Sequence, residues 1–438
     1  MTKNGHGWFK STNRHLELMR LHEDKYITLH DLDEVLGNAP RCNPGTVELA
    51  LWDAVGLVLA DDVVAPFDTP IMPRAAYDGF AVRSSETPGT FKVVGSVLIG
   101  QVPSGVLGKG EAYYVTTGAY LPRGADVVVP EEDVTVNGDL ITVSKAYPVG
   151  KNIDEPGSYA RNGQPLASKG TVLTPYIMSA LLEAGVFKAR FYSRLKVSVI
   201  STGSELVRPN TPEEALREFM NGKVIESTGS LVKWFMGNYM PYLTVLRHVI
   251  VKDSYGEIME SVKGALVESN IVIITGGTGP SDIDYVHEVI TSLRPRYYVR
   301  GVKMRPGRPS TVAVFDDCRV VFGVSGHPIS ALNALTLLIK PFVESMLGIT
   351  STIPIPRAYG KLAGPTEPGR GLWRQVRAKV ELGDEGYVVK PIRVTGSSFT
   401  STLAEADALV NIPPWVNEAK EGLLVELILL KETTKVKR

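Results

Sequence analysis

Three apolar runs, Leu195 to Ile200, Ile271 to Ile274 and Val320 to Val324, each pass straight into a glycine-containing loop and then into a segment with helical spacing. Strand and helix in alternation, with strands this apolar, constrain the chain after Thr174-Pro175 to a parallel sheet covered by helices. In such sheets ligands bind beyond the carboxyl ends of the strands, so the three loops are expected to share one crevice. Chemistry is expected there first. Upstream, Pro66, Pro70 and Pro73 cluster around Phe67, and short β-branched runs punctuated by glycine from Phe91 to Val143 predict a small β unit. Its clearest element is a hairpin from Val134 to Val143 about Asn137-Gly138. Between Thr46 and Asp61, Val47, Leu51, Ala54, Val55 and Val58 recur at helical spacing and predict a buried amphipathic helix. Past Leu347, the link Thr352 to Pro356 leads to a further β-rich unit.

At 438 residues the chain exceeds what one core organises, which agrees with several units. Lys+Arg and Asp+Glu number 47 each, so no global field draws the protein to nucleic acid or an anionic membrane, and any handling of anions must be local. Cys42 and Cys318, far apart in sequence, offer neither a disulfide framework nor a cysteine zinc pattern and suit a reducing cytosol. The first residues lack a secretory apolar core, and no later segment is expected to span a bilayer; a soluble cytoplasmic protein with polar ends, up to Asp24 and from Lys431, is the expectation.

The first loop reads Ser201-Thr202-Gly203-Ser204-Glu205, the second Thr275-Gly276-Gly277-Thr278-Gly279-Pro280-Ser281-Asp282-Ile283-Asp284. Glycines at strand ends let backbone amides approach an anion, and hydroxyls add donors, so both can cradle phosphate; either alone can equally be only a turn. Glu205, Asp282 and Asp284 beside such loops are oxygen ligands of the kind magnesium takes, and also the residues that cap helix N-termini. The third loop, Val324-Ser325-Gly326-His327-Pro328-Ile329-Ser330, opens a long apolar helix, and Pro328 and Ser330 suit a helix start. A lone histidine such as His327 carries little weight, and the other six have no assigned role. Arg305-Pro306-Gly307-Arg308 has proline and glycine at the centre of an expected type II turn, which brings two guanidinium stems together. No Ser-His-Asp set, P-loop or His-Glu zinc motif can be assembled.

These runs, with Asp78-Gly79-Phe80-Ala81, Thr117-Gly118-Ala119, Leu121 to Asp126 and Gly396-Ser397-Ser398 before Ala406-Asp407-Ala408, resemble the MoeA family, which includes the E domain of gephyrin. The resemblance runs from about Tyr26 to Leu430. It implies a multi-domain α/β plus β protein, a four-domain L-shaped subunit with a central α/β molybdopterin-binding domain. After a polar segment 1–25, the domains are an elongated first one from 26–66 and 153–177, an inserted β-rich one over 67–152, the α/β domain over 178–350 and a β-rich C-terminal one over 351–431.

The resemblance also implies a function in molybdenum cofactor biosynthesis: insertion of molybdate or tungstate into adenylylated molybdopterin with release of AMP, by a magnesium-dependent molybdopterin molybdenumtransferase. The alternative is a non-catalytic gephyrin-like pterin-binding or scaffold protein. A homodimer with a composite site is implied, and the molybdopterin adenylyltransferase is a candidate partner; neither nucleic acid nor membrane is. By family match, Asp78, Thr117, Glu205 and Asp284 are catalytic candidates, and Glu205, Asp282 and Asp284 are metal candidates. Thr202, Gly203, Thr275, Gly276, Gly277 and Thr278 belong to the phosphate region, while Arg305, Arg308, Ser330, Arg374 or Arg377, and Ser397 or Ser398 belong to the oxyanion site. The chain departs from the usual pattern at Ala75 (serine), Tyr77 (methionine), Arg305 and Arg308 (lysines), Gly279 and Ser281 (serine and glycine), and Val324 to Pro328 (Leu-Pro-Gly-Asn-Pro).

Overall fold

The computed structural model describes residues 27–29, 42, 44–277, 284–392 and 399–431. Its centre is a six-stranded sheet in the order Leu243–Val251, Leu195–Thr202, Ile271–Thr275, Val320–Val324, Thr311–Val314 and Tyr297–Arg300. The first four strands are parallel, and Thr311–Val314 runs antiparallel to both of its neighbours. The three apolar runs of the sequence are adjacent in this sheet, with Ile200, Ile274 and Gly323 side by side, so their loops leave from one edge. Val197, Ile271, Ile273, Val320 and Phe322 pack on one face beneath the helical run after His327; Ile200, Val272, Ile274 and Val321 pack on the other against Tyr255–Glu268 and Tyr285–Ser292. Both faces are dry, which accounts for the absence of polar alternation.

The helical run Pro328–Leu347 is 20 residues long and apolar enough, by length and composition, to cross a bilayer, against the sequence expectation; 78% of its apolar 18-residue window is buried inside the protein, as in a core helix. Pro341 follows a π-helical turn over Leu335–Ile339, which accommodates the missing backbone donor without ending the helix.

The predicted helix over Thr46 to Asp61 does not form. Thr46–Ala50 is a strand paired antiparallel with Lys188–Tyr192, and a short 3-10 turn follows at Leu51–Asp53. Gly56 has φ 88°, and a Cβ there would lie 2.8 Å from Pro241, so the chain turns where a helix would continue. The apolar residues still form a core, in which Leu51, Ala54, Leu57 and Leu59 meet Leu173, Leu181 and Phe191, but pairing with a distant strand overrides the local period. Pro175–Glu183 and Lys188–Tyr192 pack with this first unit, through Leu181 and Phe191 and through the pairing with Thr46–Ala50.

The inserted unit is a six-stranded sheet in the order Val127–Pro130, Gly79–Val82, Glu111–Val115, Gly89–Val97, Leu140–Val143, Val134–Asn137. Its predicted hairpin is present, with Asn137 opposite Leu140, so the turn pair is Gly138-Asp139 rather than Asn137-Gly138. Gly138 carries the positive φ, 65°.

In the C-terminal unit, Trp373–Gly383 pairs with both Gly386–Pro391 and Ala408–Ile412, which closes the sheet on itself through Arg357–Leu362 and Leu424–Leu429. Met304–Arg305, from the α/β unit, adds to this sheet beside Trp373–Arg374. This short pairing joins the two units at the crevice. Cys42 and Cys318, distant in sequence, also come together, with Cys42 Sγ 3.9 Å from the Cys318 carbonyl oxygen; both are free thiols.

Candidate active site

Beyond the carboxyl ends of the sheet strands lies a crevice of about 1670 Å³. All three loops reach it, through Thr202, Gly203 and Glu205, through Thr275, Gly276 and Gly277, and through Ser325, His327 and Ser330. The close approach of the first two loops requires glycine: at Gly276, with φ 96°, a Cβ would lie 2.4 Å from the Thr202 carbonyl oxygen. Thr275 Oγ1 donates to Ser201 Oγ at 3.1 Å, tying the strand ends together.

The other lining comes from Arg305 to Pro309 and from the C-terminal unit, through Glu367, Arg374, Gln375 and Arg377. Arg305 and Arg374 are register partners on adjacent parallel strands, so their side chains leave from neighbouring positions. The Arg305–Pro306 peptide is cis, which departs from the expected type II turn, whereas Gly307 takes φ 100° as expected. The turn is held from behind: Asn333 Nδ2 donates to the Pro306 carbonyl, Ser310 N and Oγ donate to that of Gly307, and a Cβ on Gly307 would lie 3.1 Å from the Ser330 carbonyl oxygen. Burial, together with the like charges of Arg305, Arg308 and Arg370, pulls the Arg374 guanidinium below its ordinary pKa, against the pull of Glu367. Like charges gathered in one place are a site for an anion. Arg377 is buried, also pulled down by burial, and donates to Thr402 Oγ1 at 2.9 Å. Arg374 and Arg377 both reach the crevice, and it is Arg374 that lies among the other arginines.

The carboxylates divide. Glu205 lines the crevice. Asp284 does not appear in its lining: it caps the helix Tyr285–Ser292, accepting from His287 N at 2.9 Å, and pairs with Arg300 at 3.0 Å. The expected gathering of Glu205 with Asp284 is therefore replaced by a cap, because one carboxylate oxygen takes the orphan amide and the other a guanidinium. Asp253, which the sequence reading passed over, does line the crevice and accepts from Thr202 Oγ1 at 3.2 Å. Asp78 and Thr117 bind each other, with Thr117 N and Oγ1 2.6 and 2.9 Å from Asp78 Oδ1, and neither lines the crevice of its own chain. These two donors hold the Asp78 carboxyl below its ordinary pKa. Thr278, Asp282, Ser397 and Ser398 lie outside the described residues.

Residues 26–185 match the MoeA N-terminal region (domains I and II), 198–345 a probable molybdopterin-binding domain and 359–430 the MoeA C-terminal region (domain IV). The molybdopterin molybdenumtransferase of Staphylococcus aureus is 31% identical over 391 residues, covering 87% of this chain and 91% of that protein. The chain belongs to the MoeA family. The Staphylococcus epidermidis molybdopterin molybdenumtransferase is 30% identical over 396 residues, covering 89% of this chain and 92% of its own length. Two crystal structures of the molybdopterin biosynthesis MoeA protein of Pyrococcus horikoshii superpose with TM-scores of 0.76 and 0.69, at 26% and 29% identity, covering 92% and 93% of this chain and all of theirs.

In this MoeA-family chain the crevice floor holds a polar network that sequence reasoning missed. Glu226 lines the crevice, yet its carboxylate is buried; it accepts from Gly229 N at 2.5 Å, Ser230 Oγ at 3.1 Å, Ser201 Oγ at 3.2 Å and Arg208 Nη2 at 3.2 Å. Burial opposes its ionisation, but the Gly229 amide, His248, Ser230 and Arg208 outweigh that and leave its pKa below the ordinary value. Burial, helped by Arg208 and Lys233, pushes His248 below its ordinary pKa against the pull of Glu226, and its Nε2 lies 3.0 Å from Ser201 Oγ. The only sequence signal was a glutamate just before a Ser-Thr helix start, Glu226-Ser227-Thr228.

Proposed function

We propose that the chain is a molybdopterin molybdenumtransferase: it places molybdate or tungstate in the dithiolene of adenylylated molybdopterin and releases AMP. The observation that carries this reading is one crevice lined both by two glycine loops at parallel strand ends and by Arg305, Arg308 and Arg374. The loops suit a phosphate-bearing pterin, since backbone N–H groups at strand ends favour phosphate. The arginines suit a tetrahedral dianion, which planar guanidinium forks engage through two oxygens while keeping their charge at any working pH. Breaking the anhydride between pterin phosphate and AMP calls for positioning and charge neutralisation.

Magnesium belongs to the same proposal. Among the described residues no cluster of three or more acidic, histidine or cysteine ligands forms, but Glu205 and Asp253 both line the crevice, with Thr202 hydrogen-bonded to Asp253. That donor set fits magnesium, which is commonly held by one or two carboxylates plus substrate phosphates. Glu205 and Asp253 would hold it, and the ion would neutralise charge on the anhydride oxygens. Asp78 and Thr117, absent from the crevice of their own chain, support a homodimer in which they serve the partner's site. Docking of the adenylyltransferase that makes the intermediate is compatible with the same open crevice.

The test is AMP release by the full chain given adenylylated molybdopterin, magnesium and molybdate or tungstate. Turnover that requires both the oxyanion and magnesium is expected. Pterin binding without AMP release would instead favour the scaffold reading.

A further inference from the structure

Arg374 is already occupied. Its guanidinium Nη1 donates to the carboxylate of Glu367, and the two residues line the crevice together. The side chain of Arg374 is 14% exposed and that of Glu367 52%, so a well-covered cation is paired with a carboxylate that reaches in from solvent. Arg374 Nε is buried and finds no hydrogen-bond partner among the described residues. A buried donor left unpaired calls for an explanation, and a ligand oxygen is one. Around this pair stand Arg305, the register partner of Arg374, and Arg308 and Arg370, whose charges both bear on it.

We infer that Glu367 is an internal counter-ion: it neutralises the arginine cluster when no oxyanion is bound and must turn away when a tetrahedral dianion arrives. This rests on the proposed oxyanion site and adds a competitor to it. Like charges held together are unfavourable, and one carboxylate among several guanidiniums relieves that. A dianion arriving beside a fixed carboxylate meets repulsion, so the two exclude each other. The exchange needs only side-chain rotation. The backbone about Glu367 is anchored, with Thr366 N donating to the Ala419 carbonyl at 2.9 Å, and with Gly369 packed so tightly on Pro413 that a Cβ there would lie 2.0 Å from its carbonyl oxygen. A carboxylate that is half exposed has water to turn into.

The opposing account is that Glu367 only orients Arg374. The two accounts differ in sign, because an orienting residue helps anion binding when present and a competitor hinders it. The experiment is equilibrium dialysis of molybdate alone, with sulfate in parallel, against the full-length protein without pterin, at low ionic strength, for the native chain, E367Q and Arg308→Ala. Glutamine keeps the length and removes the charge; E367A serves the same test should E367Q fold poorly by its melting curve. The expected result is molybdate binding about three- to tenfold tighter in E367Q, or about 0.7–1.4 kcal/mol, with the difference shrinking as salt is added. Equal or weaker binding in E367Q, while Arg308→Ala still loses affinity, overturns the counter-ion and leaves the oxyanion site standing. If the native chain and Arg308→Ala bind alike, or neither the native chain nor E367Q binds, the site itself is misplaced and the counter-ion falls with it.

Discussion

Asn333 offers a way to loosen the arginine turn without touching an arginine. It is fully buried on the helix Pro328–Ala334, and its Nδ2 donates to the carbonyl of Pro306, between Arg305 and Arg308. Its Oδ1 finds no partner among the described residues, so replacing the amide by an apolar side chain of similar size removes one hydrogen bond and one unsatisfied acceptor together. In Asn333→Leu the Pro306 carbonyl is left without this donor, which costs about 1–3 kcal/mol, and loss of the orphan acceptor offsets part of that. A net destabilisation of about 1 kcal/mol is expected, read as a lower urea midpoint with an unchanged slope. The larger effect should fall on the turn. With one anchor gone, the two guanidiniums hold a less defined geometry, and the molybdate concentration for half-maximal AMP release at saturating adenylylated pterin should rise about tenfold, equivalent to about 1.4 kcal/mol. Asn333→Ala would add a cavity to the same loss and should be less stable still. A lower urea midpoint with an unchanged molybdate requirement would refute the reasoning. The turn would then be held by the backbone, through Ser310 N to Gly307 O at 3.0 Å and Val302 N to Arg308 O at 2.9 Å.

Arg305→Ala and Arg308→Ala should each raise the oxyanion requirement by roughly tenfold or more while adenylylated pterin still binds, since a charge-assisted contact contributes about 1.5–3 kcal/mol; Arg308→Lys should be milder. An unchanged anion requirement in both alanine variants would move the oxyanion site toward Arg377 and its neighbours. Asp284→Asn should keep the helix cap and lose only the Arg300 pair, at a cost of about 1 kcal/mol or less, with the magnesium requirement for AMP release unchanged; a steep rise in that requirement would restore Asp284 as a metal ligand. Inactive Asp78→Ala and Glu205→Ala chains, mixed so that heterodimers form, should regain partial activity through one intact composite site, and mixed dimers that stay inactive would exclude sharing. The Thr117 amide, and after it the Thr117 hydroxyl, hold Asp78 below its ordinary pKa; Thr117→Val removes only the hydroxyl, so that carboxyl should rise in an NMR titration yet stay below the ordinary value. By linkage, the native hydrogen bonds contribute stability that is present above the unfolded-state pKa and lost as pH falls through the lowered folded value.

What was legible in the sequence follows from the range of the interactions. The three sheet strands could be read because both their faces are dry, which makes each an apolar run whatever its neighbours are. Their shared crevice followed from sheet geometry alone. Thr46 to Asp61 misled because its apolar residues do meet in one core, and only pairing with Lys188–Tyr192, far along the chain, decides that they meet as a strand and turns. Residue type likewise could not separate Asp284 from Asp253. Each stands just before a helix, but Asp284 spends its oxygens on His287 N and Arg300, whereas Asp253 lines the crevice and accepts from Thr202 Oγ1. The arginines were found as a pair within one turn, yet the cluster is made by a pairing that no local pattern announces, Met304–Arg305 laid beside Trp373–Arg374 of another unit. That pairing sets Arg305 beside an Arg374 that already holds Glu367 of its own unit. Affinity for the oxyanion is therefore set across the junction of the α/β and C-terminal units, and a substitution that opens this two-residue ladder should weaken anion binding while leaving the glycine loops, and with them pterin binding, intact.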